Sequence, residues 1–267
     1  MARRLVLVCA LAVAPIASAQ EGHLGARALY NAGLVDRAIE SAEAEWEATA
    51  SAEAALVLAR AKLDRFSRLE KGDDLSSARQ LLDRIDVTTL LPAQRLDWEV
   101  SVAAGLFLDG HAGPSAVMFE RLLDHTLLEG DERDRVLNWW ATAVDRVGRD
   151  QLPDRRSRIY GKMARRLEKE LERDPSSGPS AYWSVVAARG AGDPEHAWNL
   201  AVAAWVRAPV TGDPAGLRDD LDRLVLQGVI PDLASIGTGD SAHPFQTVRI
   251  MASLAADWED LKGHSPH

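Results

Sequence analysis

The chain has 267 residues, a formal net charge of −9 and a hydrophobic fraction of 46%, enough apolar material for one large domain or an extended repeat array. A surface this acidic repels phosphate backbones and anionic lipid headgroups, which argues against binding to nucleic acid or to a membrane surface. The only cysteine, Cys9, excludes an intrachain disulfide or a multi-thiolate zinc site.

The chain opens on Met1-Ala2-Arg3-Arg4, an apolar run from Leu5 to Ile16, and Ala17-Ser18-Ala19 before Gln20. A basic start, a short greasy middle and small residues before the cut predict a cleavable signal over residues 1–19, hence a periplasmic or secreted protein. The run is shorter than the roughly 20 apolar residues a membrane-spanning helix needs, so no integral span is expected in the mature chain. Lipidation at Cys9 is the competing reading. In Val6-Leu7-Val8 a bulky Val, the Val8 just before Cys9, stands where lipoprotein signals carry a small residue, and Cys9 lies unusually close to Met1.

Beyond residue 20 the sequence is rich in Ala, Leu, Arg, Glu and Asp, holds no convincing period-two segment, and predicts an all-α fold. Ala54, Leu58, Ala61, Leu63 and Phe66 recur at helical spacing, as do Leu75, Ala78, Leu81, Leu82 and Ile85. Lys71-Gly72-Asp73-Asp74 between them reads as a stop at Gly followed by an Asp cap. Gly192-Asp193-Pro194 and Gly212-Asp213-Pro214 repeat that punctuation, with Pro at the first helical position, where its missing N–H costs nothing. Helices are expected at about 24–33, 35–47, 51–69, 73–85, 92–109, 113–126, 131–147, 152–173, 178–190, 194–207, 214–227 and 244–261. Short connections make neighbours antiparallel, so residues 20–227 should form a row of helical hairpins. Residues 228–243, containing Ile230-Pro231 and Gly237-Thr238-Gly239, read as a loop, residues 244–261 as a capping helix, and residues 262–267 as a disordered tail.

Leu29-Tyr30, Gly33, Asp36 and Ala38-Ile39, and again Gly192, Ala197, Ala204 and Pro209, resemble the turn and second helix of a tetratricopeptide repeat. Gly72 with Ala78 and Gly110 with Ala116 are weaker echoes. In this reading the small residue lets two helices approach closely. The hairpins are unevenly spaced about the family's repeat of about 34 residues, so the likeness is degenerate. It implies a tetratricopeptide-like α-solenoid whose concave surface binds a protein or peptide partner.

Two features suggest where a partner docks. Eight tryptophans either line a groove as rigid anchors or fill the gaps between hairpins. Trp183 is among them, and in the adjacent pair Trp139 and Trp140 the side chains point about 100° apart, so both cannot enter one core face. The segment from Asp154 to Asp174 carries Arg155 and Arg158 among many cations, which could dock an anionic partner or form a solvated face laced with ion pairs.

Signals for chemistry are absent from the sequence. Neither G-x-S-x-G nor H-E-x-x-H occurs, the histidines are scattered, and the acids Asp219, Asp220 and Asp222 belong on the wet side of a helix. Gly237 to Ala242 formally fits a nucleotide fingerprint but follows no strand. The expectation is a non-enzymatic extracytoplasmic scaffold or adaptor without cofactor or metal. The alternative is a small-molecule binding accessory protein of an envelope uptake system, with a Trp-lined pocket.

Overall fold

Each hairpin begins with local chain chemistry. A computed structural model describes residues 25–70, 72–238 and 244–264, and the expected export segment, residues 1–19, lies outside them. The helices are α1 (Ala26–Asn31), α2 (Val35–Thr49), α3 (Ala52–Leu69), α4 (Gly72–Asp83), α5 (Pro92–Leu108), α6 (Ala112–Leu122), α7 (Gly130–Arg149), α8 (Pro153–Arg173), α9 (Gly178–Ala191), α10 (Pro194–Arg207), α11 (Pro214–Leu224), α12 (Ile230–Thr238) and α13 (Pro244–His264). No strand occurs among the described residues, and no helix there is long and apolar enough to cross a membrane.

Starts follow side-chain caps. Ser51, Ser177, Asp193 and Asp213 each accept a hydrogen bond from the backbone N–H three residues on, an arrangement worth about 1 kcal/mol per helix. The glycines act differently from the close-packing role expected of them. A side chain at Gly33, Gly110 or Gly192 would meet open space, but all three have positive φ (75°, 85° and 92°). They therefore serve the left-handed backbone of the hairpin turn, and close approach falls to Ala38 and Ala197, both fully buried on the returning helix. The stop expected at Gly72 is also displaced: α3 ends on Glu70 in the left-handed conformation, and Gly72 is already the first residue of α4.

Consecutive helices pack side by side, and beyond that the parity of the helices matters. α1, α3, α5, α7, α9 and α11 also touch one another in succession, while α2, α4, α6 and α8 sit outside and fill the seams between them. The result is an all-α helical solenoid with an odd-helix inner layer. Its interior divides into two hydrophobic clusters that meet at α9. Trp183 and Ala187 face the first, with α1 to α8, whereas Ala181, Val185 and Ala188 face the second, with α10 to α13.

Residues 228–243 depart from the expected loop. After α11 the chain makes a π-helical turn (Val225–Val229) and continues directly as α12, leaving only residues 239–243 outside the description. Pro231 follows the π-helical turn inside a helix that does not break, and Val225, Val229, Ile230 and Ala234 form a buried helical stripe. α13 runs to His264, past the expected helix end at residue 261, and residues 265–267 lie outside the description. Its Trp258 is fully buried against Trp205 (5.3 Å between ring centroids) and Trp198 (5.8 Å) of α10. The Trp258 indole N–H and the Lys262 ammonium both donate to Asp222, each at 2.8 Å. Asp222 is thereby turned toward α13 and away from the solvated side expected for it.

Candidate functional site

The inner face is lined by alternate helices, so its chemistry can be followed from α1 to α11. In the N-terminal half an ion-pair ladder crosses it. Arg27 of α1 donates to Asp97 of α5 at 3.0 Å and pairs with Glu53 of α3, and Arg60 of α3 donates to Asp97 at 3.2 Å and to Glu132 of α7. Burial works against the charge on Arg60, but Glu132, Tyr30 and Asp97 outweigh it and hold the guanidinium firmly protonated. Arg135 of α7 also pairs with Glu132, so three guanidinium groups meet three carboxylates on this part of the face.

Past Arg60 the face turns acidic, although Arg135 pairs with Glu132 and Arg223 with Asp220 at its margins. The N-terminal halves of α7, α9 and α11 enclose a groove of about 430 Å³ whose lining includes Asp131, Asp134, Asp213 and Asp220 but no Lys, Arg or His. Pro179, Tyr182 and Leu217 form its apolar part. Asp213 is committed to capping α11, and Asp134 accepts a hydrogen bond from Ser177 Oγ at 2.7 Å. Burial raises the Asp134 carboxyl above its ordinary value, with Asp174, Asp131 and Glu170 adding to the rise and the Ser177 bond opposing it. The Tyr182 phenol is raised as well, by burial and then by the charge of Asp220. Tyr182 is held edge-on against Trp183 at 5.3 Å, and the Trp183 indole N–H donates to Asn138 Oδ1 at 2.7 Å, which ties α9 to α7. Carboxylates around an aromatic ring and an apolar wall are the chemistry that suits a cation on an alkyl stem.

A second cleft, of about 680 Å³, opens at the other ends of α7 and α9. Arg149, Arg156 and Arg189 reach it, together with Tyr160, Val186, Pro194, Asp232 and Ile236. Tyr160 of α8 is wedged between Gly148 of α7 and Gly190 of α9, where a Cβ would come within 3.0 Å and 2.6 Å of its ring. Its hydroxyl donates to Asp145 Oδ1 at 2.6 Å, and Arg149 donates to the other oxygen of the same carboxylate. Burial, then the bond to Asp145, pushes the Tyr160 phenol far up, so it stays protonated and donating.

The residues suggested by sequence fall elsewhere. Trp140 and Trp183 are buried, and Trp139 is half-buried between Phe107 (5.1 Å, edge-on) and Phe119 (6.3 Å, stacked). None of the eight tryptophans is exposed, and the three named for partner contact hold hairpins together, because the space between adjacent helix pairs demands large side chains there. Trp46 lines a shallow hollow over α2, α3 and α4. Arg155 and Arg158 are exposed on α8 as a cationic surface, but neither lines a cleft; Arg156 between them does. Sequence reasoning missed Asp131, Asp134, Tyr182 and Asp220 as a group. Acids at the starts of helices were visible, but which helices share a face was not. Among the described residues no three His, Cys, Asp or Glu side chains converge as a metal set would.

No family model, curated protein or solved structure matches the chain. Function therefore has to be argued from the chemistry of these sites.

Proposed function

We propose that this chain is a non-enzymatic, extracytoplasmic scaffold of tetratricopeptide-like hairpins that holds a basic segment of a protein or peptide partner along its odd-helix face. The groove beside Tyr182 takes a lysine or arginine side chain of that segment. The observation that carries the reading is the groove's lining: carboxylates from α7 and α11, the Tyr182 ring and an apolar wall, with no cation in the lining itself and only the exposed Arg223 pairing with Asp220 from outside it. The balanced ladder farther along the same face favours one contact point, because Arg27 and Arg60 already occupy the acids there. Fluorescence anisotropy with labelled decapeptides that differ only in one central arginine, lysine or citrulline tests the reading. The cationic peptides should bind and weaken with salt, and the D131N/D220N double variant should lose about tenfold in affinity with little change in stability. Equal binding of the citrulline peptide, or no binding by any of the three, would overturn it.

A further inference from the structure

The arginine cleft is separate from the groove above and is left without a role by it. We propose that it binds a small organic carboxylate carried on an apolar body. Three elements deliver the cations: Arg149 closes α7, Arg156 lies at the start of α8, and Arg189 lies in the last turn of α9. Arg149 and Arg189 are at helix C-terminal ends, where a cation complements the helix dipole, so their presence alone would be unremarkable structural chemistry. Arg156 is at the opposite kind of end, where the dipole opposes a cation, and it has no ion-pair partner among the described residues. Local helix stability does not account for it, and unlike its exposed neighbours Arg155 and Arg158 it lines the cleft, where a guest anion would match it.

The other two guanidinium groups are positioned. Asp145, itself fixed by the Tyr160 hydroxyl, holds Arg149 from beneath. Arg189 donates to Asp232 of α12 at 2.6 Å and packs on Gly228, where a Cβ would come within 2.8 Å of the guanidinium. Gly228 belongs to the π-helical turn, and its missing Cβ is what lets the chain approach Arg189 so closely. Asp145 and Asp232 bind Arg149 and Arg189, and Asp150 adds to the negative charge around Arg149, so Arg156 is the one guanidinium of the three left without a bonded carboxylate among the described residues. That balance suits a monoanion such as a carboxylate better than a phosphate monoester, which carries about −1.5 to −2 at neutral pH. Val186, Pro194 and the exposed Ile236 supply an apolar wall, and about 680 Å³ is the size of a small-molecule site.

The test is isothermal titration of the full chain with 4-phenylbutanoate, its neutral amide 4-phenylbutanamide, and 3-phenylpropyl phosphate. The carboxylate should give saturable binding, the amide none, and the phosphate weaker binding than the carboxylate. Arg156→Gln and Arg189→Gln should each weaken carboxylate binding at least about tenfold, as loss of a charge-assisted bond does. Arg155→Gln, an exposed neighbour outside the cleft, should leave the affinity unchanged. Because Arg189 also pairs with Asp232, the exposed Arg156 is the decisive variant, with melting temperatures checking that both fold. No heat with the carboxylate, equal binding of the amide, tighter binding of the phosphate, or an equal loss in Arg155→Gln would each overturn the proposal. All of these outcomes are independent of peptide binding at the acidic groove.

Discussion

The two ends of α7 and α9 carry opposite charge. At the N-terminal ends Asp131, Asp134 and, from α11, Asp213 and Asp220 surround a groove without cations, whereas at the C-terminal ends Arg149 and Arg189 border a cleft with Asp232 as its one acid. Helix polarity alone favours these signs, because acids are stabilised where N–H groups point outward and cations where carbonyls do. What distinguishes each end beyond its sign is the residue its neighbours leave unmatched. At the acidic end that residue is Asp131, which has no bonded partner among the described residues, and at the basic end it is Arg156. Backbone direction sets the sign of a surface, and side-chain bookkeeping sets its capacity.

The sharpest way to break this contrast is to strip the counter-charge from the buried cation beside the acidic end. Arg133 of α7 donates twice to Glu170 of α8, at 2.7 and 2.8 Å, and also to the carbonyls of Leu123 and Leu128, with both side chains nearly sealed from water. Glu170→Ala leaves that guanidinium buried without its counter-charge, and urea unfolding should show a loss of about 3–5 kcal/mol. A loss below about 1 kcal/mol would mean that the pair is incidental to holding α7 on α8. A smaller effect is expected at the basic end. Gly190→Ala drives a methyl group into the Tyr160 ring and should cost about 1–3 kcal/mol. It should impair carboxylate binding in the arginine cleft while leaving peptide binding at the acidic groove intact.

The smallest effect carries a pH signature. Folding raises the Asp134 carboxyl pKa, so its ionised form burdens the folded state. Its favourable contribution is full below the unfolded value of about 4 and is lost as pH rises through the folded value. Asp134→Asn keeps an acceptor for Ser177 and should melt slightly higher than the parent at pH 7, with the gain shrinking as pH falls toward 3. A gain that did not change with pH would show that Asp134 is not held in a burdened state.

Much of the fold was legible because caps and periodicity agreed. Asp193-Pro194 and the Ala197–Ala201–Ala204 stripe predict the observed span of α10, and Asp213-Pro214 marks the start of α11. α12 was missed because Pro231 and the nearby glycines read as loop punctuation, although Val225, Val229, Ile230, Leu233 and Ala234 carry a helical stripe across them. A π-helical turn has no composition of its own, so only that stripe could have revealed it. The candidate sites were less legible. Trp139, Trp140 and Trp183 drew attention by size, but in a stack of hairpins size is what the interior needs. Asp131, Tyr182 and Asp220 lie on three different helices and come together only because every second helix faces inward, a fact about packing that no local pattern encodes.

The salt-bridge ladder has one further consequence. A stack of repeats touching only its nearest neighbours can fray from its ends one unit at a time. Arg27 reaches past α3 to Asp97 on α5, and Arg60 reaches past α5 to Glu132 on α7. Peeling α1 away therefore breaks a bond two hairpins downstream, and amide exchange in the first four odd helices should slow and quicken together, as one cooperative block.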